Sequence, residues 1–304
     1  MGRACYNEDT MKKLIIALVI VAVVGLGWYL LTKGPDEAPV PVVTETPTTT
    51  IPVVEEVKPE MSIGKSVEGR DIMAFTFGKG DASVLFVGGL HGGYEWNTSL
   101  VAYQMMDYLK ANPQAIPEGV QVTVIPVANP DGLSKVVDPS GPFVAADITA
   151  TQAVQVSGRY NANKVDLNRN FDCQWQATGK WQTTTVSGGT AAFSEPEALA
   201  IKNYVEAQDP SAVVVWYSAA GGVYSSACGG AVSAETTALT NLYAKASGYP
   251  AHTSFDYYET SGDMVNWLAK GGIPAISVLL TNHTGTDWSM NQKGIDAVLK
   301  SLVK

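Results

Sequence analysis

The stretch Val87-Gly-Gly-Leu-His-Gly-Gly-Tyr-Glu-Trp-Asn97 places an imidazole, His91, and a carboxylate, Glu95, four residues apart. The preceding run Ser83–Val87 is short, rich in β-branched and apolar residues and followed by two glycines, which predicts a buried strand. From Trp96 onward, apolar residues recur at helical spacing. Residues four apart share one face of a helix, so the two side chains are expected to lie together as half of a zinc site. A Gly-rich turn with an incidental histidine is the alternative.

A second motif, Arg159-Tyr-Asn-Ala-Asn-Lys-Val-Asp-Leu-Asn-Arg-Asn-Phe171, lies downstream of the first. Two more follow, Phe193-Ser-Glu-Pro-Glu197 and Tyr258-Glu-Thr-Ser-Gly-Asp-Met-Val-Asn-Trp267. With these four motifs in this order, the chain resembles the zinc metallocarboxypeptidases of the carboxypeptidase A and B type. The resemblance extends from about residue 61 to the C-terminus.

The resemblance implies that the cofactor is zinc and that His91 and Glu95 bind it. It also implies that Asn168 and Arg169 bind the terminal carboxylate of a peptide and that Arg159 polarises the scissile carbonyl. The chemistry suits these residue types, because zinc lowers the pKa of a bound water to about 7 and the planar guanidinium of arginine binds a carboxylate through two hydrogen bonds. A salt bridge or a loop contact is the alternative role of each arginine.

The last motif is expected to shape the pocket for the terminal residue of the substrate. By resemblance, Tyr258 closes over that residue, although Tyr257 competes for the role. Met264 and Val265 lie where the family shapes the pocket, which favours an apolar terminal residue. Asp263 beside them leaves a basic preference open.

The ligand set departs from the family in two respects. Three residues separate His91 from Glu95 where the family has two, but both spacings keep the pair on one helix face. The family's third ligand is a histidine just after a central strand, and Tyr217 stands in its place. A neutral phenol is a poorer zinc ligand than imidazole. His283 is the better substitute, whereas His252 is expected at the rim.

The position of the general base also differs from that of the family. The family has a glutamate near the end of the last strand, and here Leu279 or Leu280 occupies that place. Because leucine cannot accept a proton, Asp287 and Glu259 are the candidate replacements, with Asp287 preferred. The function predicted first is a membrane-anchored zinc carboxypeptidase that removes the C-terminal residue of peptides. The alternative is a catalytically silent peptide-binding module of the same family.

Residues 14–32 form an almost uncharged apolar run, preceded by Lys12 and Lys13. About 20 apolar residues suffice to cross a bilayer, and the lysines predict a short cytoplasmic segment over residues 1–13. A cleaved signal peptide and a buried core helix are the alternatives. The preferred interpretation is a single-pass anchor with the C-terminal domain outside the cytoplasm, which makes the membrane one partner and peptides or cell-wall stem peptides with a free C-terminus the other.

Residues 33–60 are rich in Pro, Thr, Val and Glu, which predicts an extended spacer. The domain is expected to occupy residues 61–304. The whole chain has 304 residues, of which 46% are hydrophobic and 16% charged, and a net charge of -9. This acidic balance argues against a nucleic-acid partner, which would need clustered Lys and Arg.

The domain has the pattern of an α/β fold. A single carboxypeptidase-like domain is expected, with a mixed, mostly parallel sheet and helices on both faces. The long polar region from Asp131 to Ala192 has little periodicity and is expected to build a site. Predicted strands and helices alternate along the chain, with strands over residues 83–87, 120–127, 212–216 and 275–280 and helices over residues 97–111, 195–207, 234–247 and 289–302.

The chain has three cysteines, and the predicted topology places Cys5 in the cytoplasm. Cys173 and Cys228 lie on the other side, each near a segment expected to border the site. A disulfide between them is predicted. Two free thiols are the alternative, since spacing along the chain does not show that the two Cα atoms approach each other.

Overall fold

The computed structural model describes residues 28–29 and 59–303. The chain divides into two units, residues 1–55 and 56–304, and the second contains the fold described below. The predicted anchor over residues 14–32 lies outside the described residues, apart from Trp28 and Tyr29, which are helical. The predicted spacer also lies outside them up to Pro59. Within the described ranges, no helix is both long and apolar enough to span a bilayer.

The described part of the chain contains a mixed eight-stranded sheet. Its order is β1-β2-β4-β3-β7-β10-β8-β9, and the pairs β3/β4, β3/β7, β7/β10 and β8/β9 are parallel. The central strands are therefore parallel, as predicted. The ten strands are β1 (Glu60–Lys65), β2 (Asp71–Gly78), β3 (Ala82–Val87), β4 (Val120–Ile125), β5 (Thr178–Trp181), β6 (Thr184–Ser187), β7 (Ala212–Ser218), β8 (Gly222–Ser225), β9 (Ala251–His252) and β10 (Ala275–Leu280).

Helices cover both faces of this sheet, which confirms the predicted layers. Phe86, Val214 and Val278 belong to one apolar cluster, which also contains buried residues of helices α1, α5 and α7. Leu85 and Val213 belong to the opposite cluster, with residues of α4 and α6. Successive strand residues face opposite sides, so strands covered on both faces are apolar throughout. Between residues 59 and 303 the α-helices are α1 (Trp96–Ala111), α2 (Pro130–Leu133), α3 (Gln152–Ser157), α4 (Pro196–Gln208), α5 (Ala234–Ser247), α6 (Met264–Lys270) and α7 (Trp288–Ser301).

The long polar region predicted to build a site contains short elements rather than a single loop. Strands β5 and β6 pair with each other in an antiparallel hairpin outside the main sheet. The hairpin is joined to the second motif, because Val165 forms an isolated bridge with Ser187 and the Asp166 amide donates a 3.0 Å hydrogen bond to the Ser187 carbonyl. The region therefore folds against the motif that it contains.

The predicted disulfide is present. Cys173 and Cys228 are bonded, with their Cα atoms 5.7 Å apart. Cys173 follows the Asn-Arg motif and Cys228 follows β8, so the bond joins two segments that are 55 residues apart. The carbonyl of Cys173 also accepts a 2.8 Å hydrogen bond from the amide of Gly262, at the start of the last motif.

Candidate functional site

A cavity of about 810 Å³ opens near the carboxyl ends of β3, β7 and β10. This is the edge at which open α/β sheets bind ligands, and the volume lies within the roughly 300–1,000 Å³ of typical ligand pockets. Seven residues predicted to bind the metal or the substrate or to polarise the carbonyl line the cavity: His91, Glu95, Arg159, Asn168, Arg169, Tyr217 and Tyr258. Asp287 and Met264 do not line it. The structure thus brings together residues from five segments of the chain.

His91 and Glu95 meet at the start of this cavity. They flank the 3-10 turn Gly92–Glu95, after which α1 begins at Trp96. His91 Nδ1 lies 3.0 Å from Glu95 Oε1, and both side chains are buried. Gly92 has a φ of +42°, and a Cβ there would lie 2.7 Å from the carbonyl oxygen of Gly158, so a glycine is required for the turn.

Asp166 joins this pair to Arg159. Its Oδ1 lies 3.3 Å from His91 Nε2, and its Oδ2 accepts a 2.8 Å hydrogen bond from Arg159 Nε. Burial by itself would raise the pKa of Asp166, but the charges of Arg159 and His91 outweigh it and hold the pKa well below the usual range of a carboxyl. Asp166 therefore carries a buried negative charge beneath the cavity floor.

Arg159 is buried and faces aromatic rings. Its guanidinium lies 4.5 Å from the centre of the Trp181 ring and 5.7 Å from that of Tyr94, both within cation–π range. Nη1 is also 3.9 Å from Glu95 Oε1. Arg159 is thus held between carboxylates on one side and the hairpin tryptophan on the other.

Arg169 is 1% exposed and is held by backbone carbonyls. Nε and Nη2 donate to the Lys180 carbonyl at 3.1 and 2.6 Å, and Nη1 donates to the Asn168 carbonyl at 2.6 Å. The Tyr258 ring lies 5.9 Å from the guanidinium. Tyr257, the competing tyrosine, is 61% exposed, and its hydroxyl contacts that of Tyr224 at 3.2 Å. Tyr258 is therefore the one in contact with an arginine of the cavity.

The side-chain amide of Asn168 binds other protein groups. Nδ2 donates to Asp263 Oδ2 at 2.8 Å, and Oδ1 accepts hydrogen bonds from the Met264 amide at 3.0 Å and the Tyr217 hydroxyl at 3.3 Å. Asp263 also caps α6 by accepting from the Asn266 amide. One N–H of the Asn168 amide is thus directed at Asp263, and the second N–H is the donor that remains for a substrate carboxylate, so the predicted role of Asn168 stays a prediction.

Tyr217 and Leu279 are neighbours on adjacent strands. They pair in register between β7 and β10, and both line the cavity. Leu280 belongs to the apolar cluster on the other face, so Leu279 is the residue at the position of the family's base. Burial raises the pKa of Tyr217 well above its ordinary value, which keeps the phenol protonated.

The residues considered as a replacement third ligand or general base differ in whether they reach the cavity. His283 lines the cavity, and its ring centre is 4.6 Å from that of Tyr94. His252 instead stacks on Tyr224 at 4.4 Å. Asp287 is not among the lining residues, which corrects its predicted catalytic role. It begins α7, and its carboxylate accepts hydrogen bonds from the amide and hydroxyl of Thr281 and from the Tyr249 hydroxyl.

Glu259, the other carboxylate considered as a base, is exposed and also does not line the cavity. Two carboxylates do line it, those of Glu95 and Asp263. Glu95 is the expected zinc ligand, and Asp263 is engaged by Asn168 and Asn266. Asp263 is therefore not a free general base, and Glu95 could act as a base only in place of its expected role as a zinc ligand.

A catalytic zinc site normally has three protein ligands and one open position. His91 Nδ1, Glu95 Oε2 and His283 Nδ1 are buried without a hydrogen-bond partner among the described residues, as metal-binding atoms are when no metal is bound. No group of three His, Cys, Asp or Glu side chains in the described part of the chain converges closely enough to hold a metal ion. Tyr217 offers a phenol, which must lose its proton before it can bind zinc and is a poorer ligand than imidazole. These residues therefore do not fit a three-ligand catalytic zinc site.

The fold and the cavity define a carboxypeptidase-like α/β domain. Residues 54–299 match the zinc carboxypeptidase family, and the chain belongs to this family. The predicted resemblance is thereby confirmed, and at this level the chain is related to metal-dependent peptidases.

Curated relatives and solved structures agree with this assignment. The chain is 33% identical over 123 residues to carboxypeptidase Z of Rattus norvegicus, which covers 36% of this chain and 18% of that protein. It is 26% identical over 160 residues to carboxypeptidase M of Mus musculus, covering 48% of this chain and 30% of that protein. The chain thus spans less than a third of either relative.

Two solved structures share the fold. Bovine thrombin-activatable fibrinolysis inhibitor, in complex with a tick carboxypeptidase inhibitor, superposes with a TM-score of 0.63 at 16% identity, covering 80% of this chain and 87% of that one. Murein-tripeptide amidase MpaA from Escherichia coli O157 superposes with a TM-score of 0.55 at 20% identity, covering 81% and 92%. At these identities the likeness concerns the fold.

Two contributors to the site were missed from the sequence. Asp166 lies inside the quoted Asn-Arg motif, and its position two residues before Asn168 was a signal that it would share the site. Trp181 had no such signal, because it comes from a polar region without periodicity. Its place over Arg159 depends on the pairing of β5 with β6.

Proposed function

We propose that this domain binds the free C-terminal carboxylate of peptides and does not hydrolyse them at an appreciable rate. The observation that carries the proposal is the pair of buried guanidinium groups, Arg159 and Arg169, lining a cavity of about 810 Å³. Desolvated, pre-oriented guanidinium groups are well suited to binding a carboxylate.

The residues at the positions of the third zinc ligand and the general base support a catalytically silent domain. Tyr217 replaces an imidazole, and its hydroxyl is hydrogen-bonded to Asn168. Leu279 beside it has no proton-accepting group, and Asp287 is bound to Thr281 outside the cavity. A metal-activated water would lack both a complete ligand set and a base.

A second candidate function is zinc-dependent removal of the C-terminal residue. It is favoured by the unpartnered buried atoms His91 Nδ1, Glu95 Oε2 and His283 Nδ1 on one side of the cavity. Zinc, when bound, would supply a Lewis acid and an activated water. This candidate requires His283 or another group to approach His91 and Glu95 more closely.

The proposed partner is a peptide or a cell-wall stem peptide with a free C-terminus, presented to a domain anchored at the outer side of a membrane. The likeness to murein-tripeptide amidase supports the stem-peptide class, and the apolar run over residues 14–32 supports the anchor. The cavity volume suits a short segment of extended peptide.

Two measurements on the purified full-length protein separate the candidates. Calorimetric titration with matched peptides that end in a free acid or an amide is expected to show that the acid binds at least about tenfold more tightly, because a charge-assisted hydrogen bond contributes about 1.5–3 kcal/mol. Equal affinity for the two would refute carboxylate binding. Zinc content by elemental analysis, with hydrolysis of blocked dipeptides, tests the second candidate, and stoichiometric zinc with turnover would establish it.

A further inference from the structure

The hairpin β5–β6 contacts both arginines that line the cavity. Its Lys180 carbonyl accepts two hydrogen bonds from Arg169, and its Trp181 ring lies over the guanidinium of Arg159. We propose that this hairpin is the positioning element of the carboxylate site and sets the orientation of both guanidinium groups. The inference rests on the proposed function for its binding consequence, but its structural part is independent of it.

The hairpin restricts the Arg169 side chain by steric contact as well as by hydrogen bonds. A Cβ at Gly179 would lie 2.8 Å from Arg169 Cδ and 3.2 Å from Nε. Contacts below 3.0 Å force a displacement, and this side chain is buried and anchored at three nitrogens, so it has little freedom to yield. Gly179 is therefore required for the side chain to pass against the hairpin.

The remaining donors of Arg169 are determined by these contacts. A guanidinium has five N–H groups, and the side formed by Nε and Nη2 is directed at the Lys180 carbonyl. Nη1 donates one N–H to the Asn168 carbonyl, so a ligand carboxylate must approach through the second N–H groups of Nη1 and Nη2. The hairpin thus selects which edge of the arginine faces the cavity.

Arg159 is bound by the Asp166 carboxylate on one side and is covered on the other by the next residue of the same strand. Trp181 approaches it at 4.5 Å and meets Tyr94 edge-on at 4.9 Å between ring centres. Beyond Trp181, the turn residues Gln182 and Thr183 also line the cavity. One short strand therefore orients both cations and ends at the cavity wall.

The base of the hairpin is fixed to the segment that carries Arg169. The amide of Asp166 donates to the Ser187 carbonyl at 3.0 Å, and the amide of Gly188 donates to the Ala177 carbonyl at 2.8 Å. The hairpin and the Asn-Arg motif therefore form one unit, in which a shift of the strand is transmitted to the guanidinium groups. This rigidity is what a pre-oriented binding site requires.

Gly179→Ala in the full-length protein tests the inference, with Gly141→Ala as the matched control. A Cβ at Gly141 meets nothing within 4 Å, so this change adds the same methyl group without contact. Gly179→Ala is expected to reduce the affinity ratio of free-acid to amide peptide at least about fivefold while the affinity for the amide stays the same, since the lost contact is charge-assisted. Gly141→Ala is expected to leave the ratio unchanged.

A second readout does not depend on peptide binding. In ¹⁵N-arginine NMR spectra, the Nε–H of Arg169 should exchange slowly in the unmodified protein and quickly in Gly179→Ala, and the signal is assigned by its loss in Arg169→Lys. Trp181→Leu should instead shift the Arg159 signal and leave that of Arg169 unchanged. Thermal unfolding verifies that each variant is folded.

The outcomes distinguish the two proposals. An Arg169 signal that is identical in Gly179→Ala and Gly141→Ala, together with an Arg159 signal unaffected by Trp181→Leu, would overturn the positioning role. If the Arg169 signal responds but the unmodified protein does not prefer the free acid, the hairpin inference stands and the proposed function fails. If a preference for the acid is present and survives Gly179→Ala unchanged, the hairpin inference fails and the proposed function stands.

Discussion

The two sides of the cavity differ in how completely their polar atoms are bonded. On the arginine side, guanidinium and amide groups donate to carboxylates and carbonyls at 2.6–3.1 Å. Arg159 Nη2 makes no hydrogen bond among the described residues but lies 2.8 Å from the Asp166 carboxylate as an ion pair. On the histidine side, buried nitrogen and oxygen atoms have no hydrogen-bond partner among the described residues. The arginine side consists of Arg159, Asn168, Arg169, Lys180 and Trp181, and the histidine side of His91, Glu95, Tyr217, Leu279 and His283.

The difference favours the proposed binding of a carboxylate over metal-dependent hydrolysis. An anion site needs cations fixed in place before the ligand arrives, and the hydrogen bonds of the arginine side do this. A metal site needs converging donors with the metal as their shared partner. The histidine side keeps two such donors, His91 and Glu95, while Tyr217 and Leu279 stand where the third ligand and the base would be.

The largest expected effect comes from Asp166, which touches both sides. Asp166→Asn should lower the free energy of unfolding by about 3–5 kcal/mol, because it leaves Arg159 buried without its carboxylate. The pKa of Asp166 is lower in the folded state than in the unfolded chain, so its stabilisation is present above about pH 4 and is lost as the pH falls. Urea denaturation at pH 7 and pH 3 measures both effects.

Asp172→Asn is the matched control for Asp166. Asp172 pairs with Lys270 at 2.8 Å, but both side chains are about half exposed. Such surface pairs contribute at most about 1 kcal/mol. Equal losses in the two variants would show that the buried network does not set the stability of the arginine side.

Removing the disulfide tests whether the stability of the arginine side depends on its covalent connection to the segment after β8. Replacing both Cys173 and Cys228 with Ala should lower the free energy of unfolding by about 2–4 kcal/mol, because the bond closes a loop of 55 residues. Urea denaturation measures the change. The Cys228→Ala single variant should lose as much free energy of unfolding as the double variant, because either change removes the bond. A larger loss in the double variant would mean that the packing of each side chain, rather than the bond, is responsible.

Restoring an imidazole at position 217 tests whether the histidine side can bind zinc. Tyr217→His should raise zinc affinity at least about 100-fold, because it completes a His-Glu-His set with an open position. Titration against a competing chelator measures this, and Tyr217→Phe, which removes only the hydroxyl, should show no gain. Hydrolysis should rise further in the double variant that adds Leu279→Glu, since the neighbouring strand then carries a base.

If the unmodified protein already binds zinc as tightly as Tyr217→His, either Tyr217 or His283 serves as a third ligand. The zinc carboxypeptidase candidate would then replace the silent one.

The smallest expected effect concerns the geometry of Arg169. Arg169→Lys keeps the positive charge but loses the planar fork, so affinity for a free-acid peptide should fall about tenfold and affinity for its amide should not change. Calorimetric titration measures both. Lys202→Ala removes an exposed cation elsewhere, paired with Glu206, and should leave the ratio intact. A fall in both variants would point to overall charge rather than to the fork.

The regular elements were well predicted from the sequence. The strand over residues 275–280 and the helix over residues 234–247 match the structure end to end, because each has an uninterrupted pattern or clear boundaries. The strands β1 and β2 were missed. They lie at one edge of the sheet, and their partly exposed residues do not form the continuous apolar run that marks a buried strand.

The sequence by itself determined the family, the α/β architecture and most of the residues that converge on the cavity, because these depend on local patterns and on motifs with fixed spacing. Only the tertiary structure decided how those residues are used. It turned Leu279 rather than Leu280 toward Tyr217, kept Asp287 at the start of α7, and directed the amide of Asn168 to Asp263, 95 residues away. Strand register and long-range hydrogen bonds set these contacts, and neither can be read from the spacing of residues along the chain.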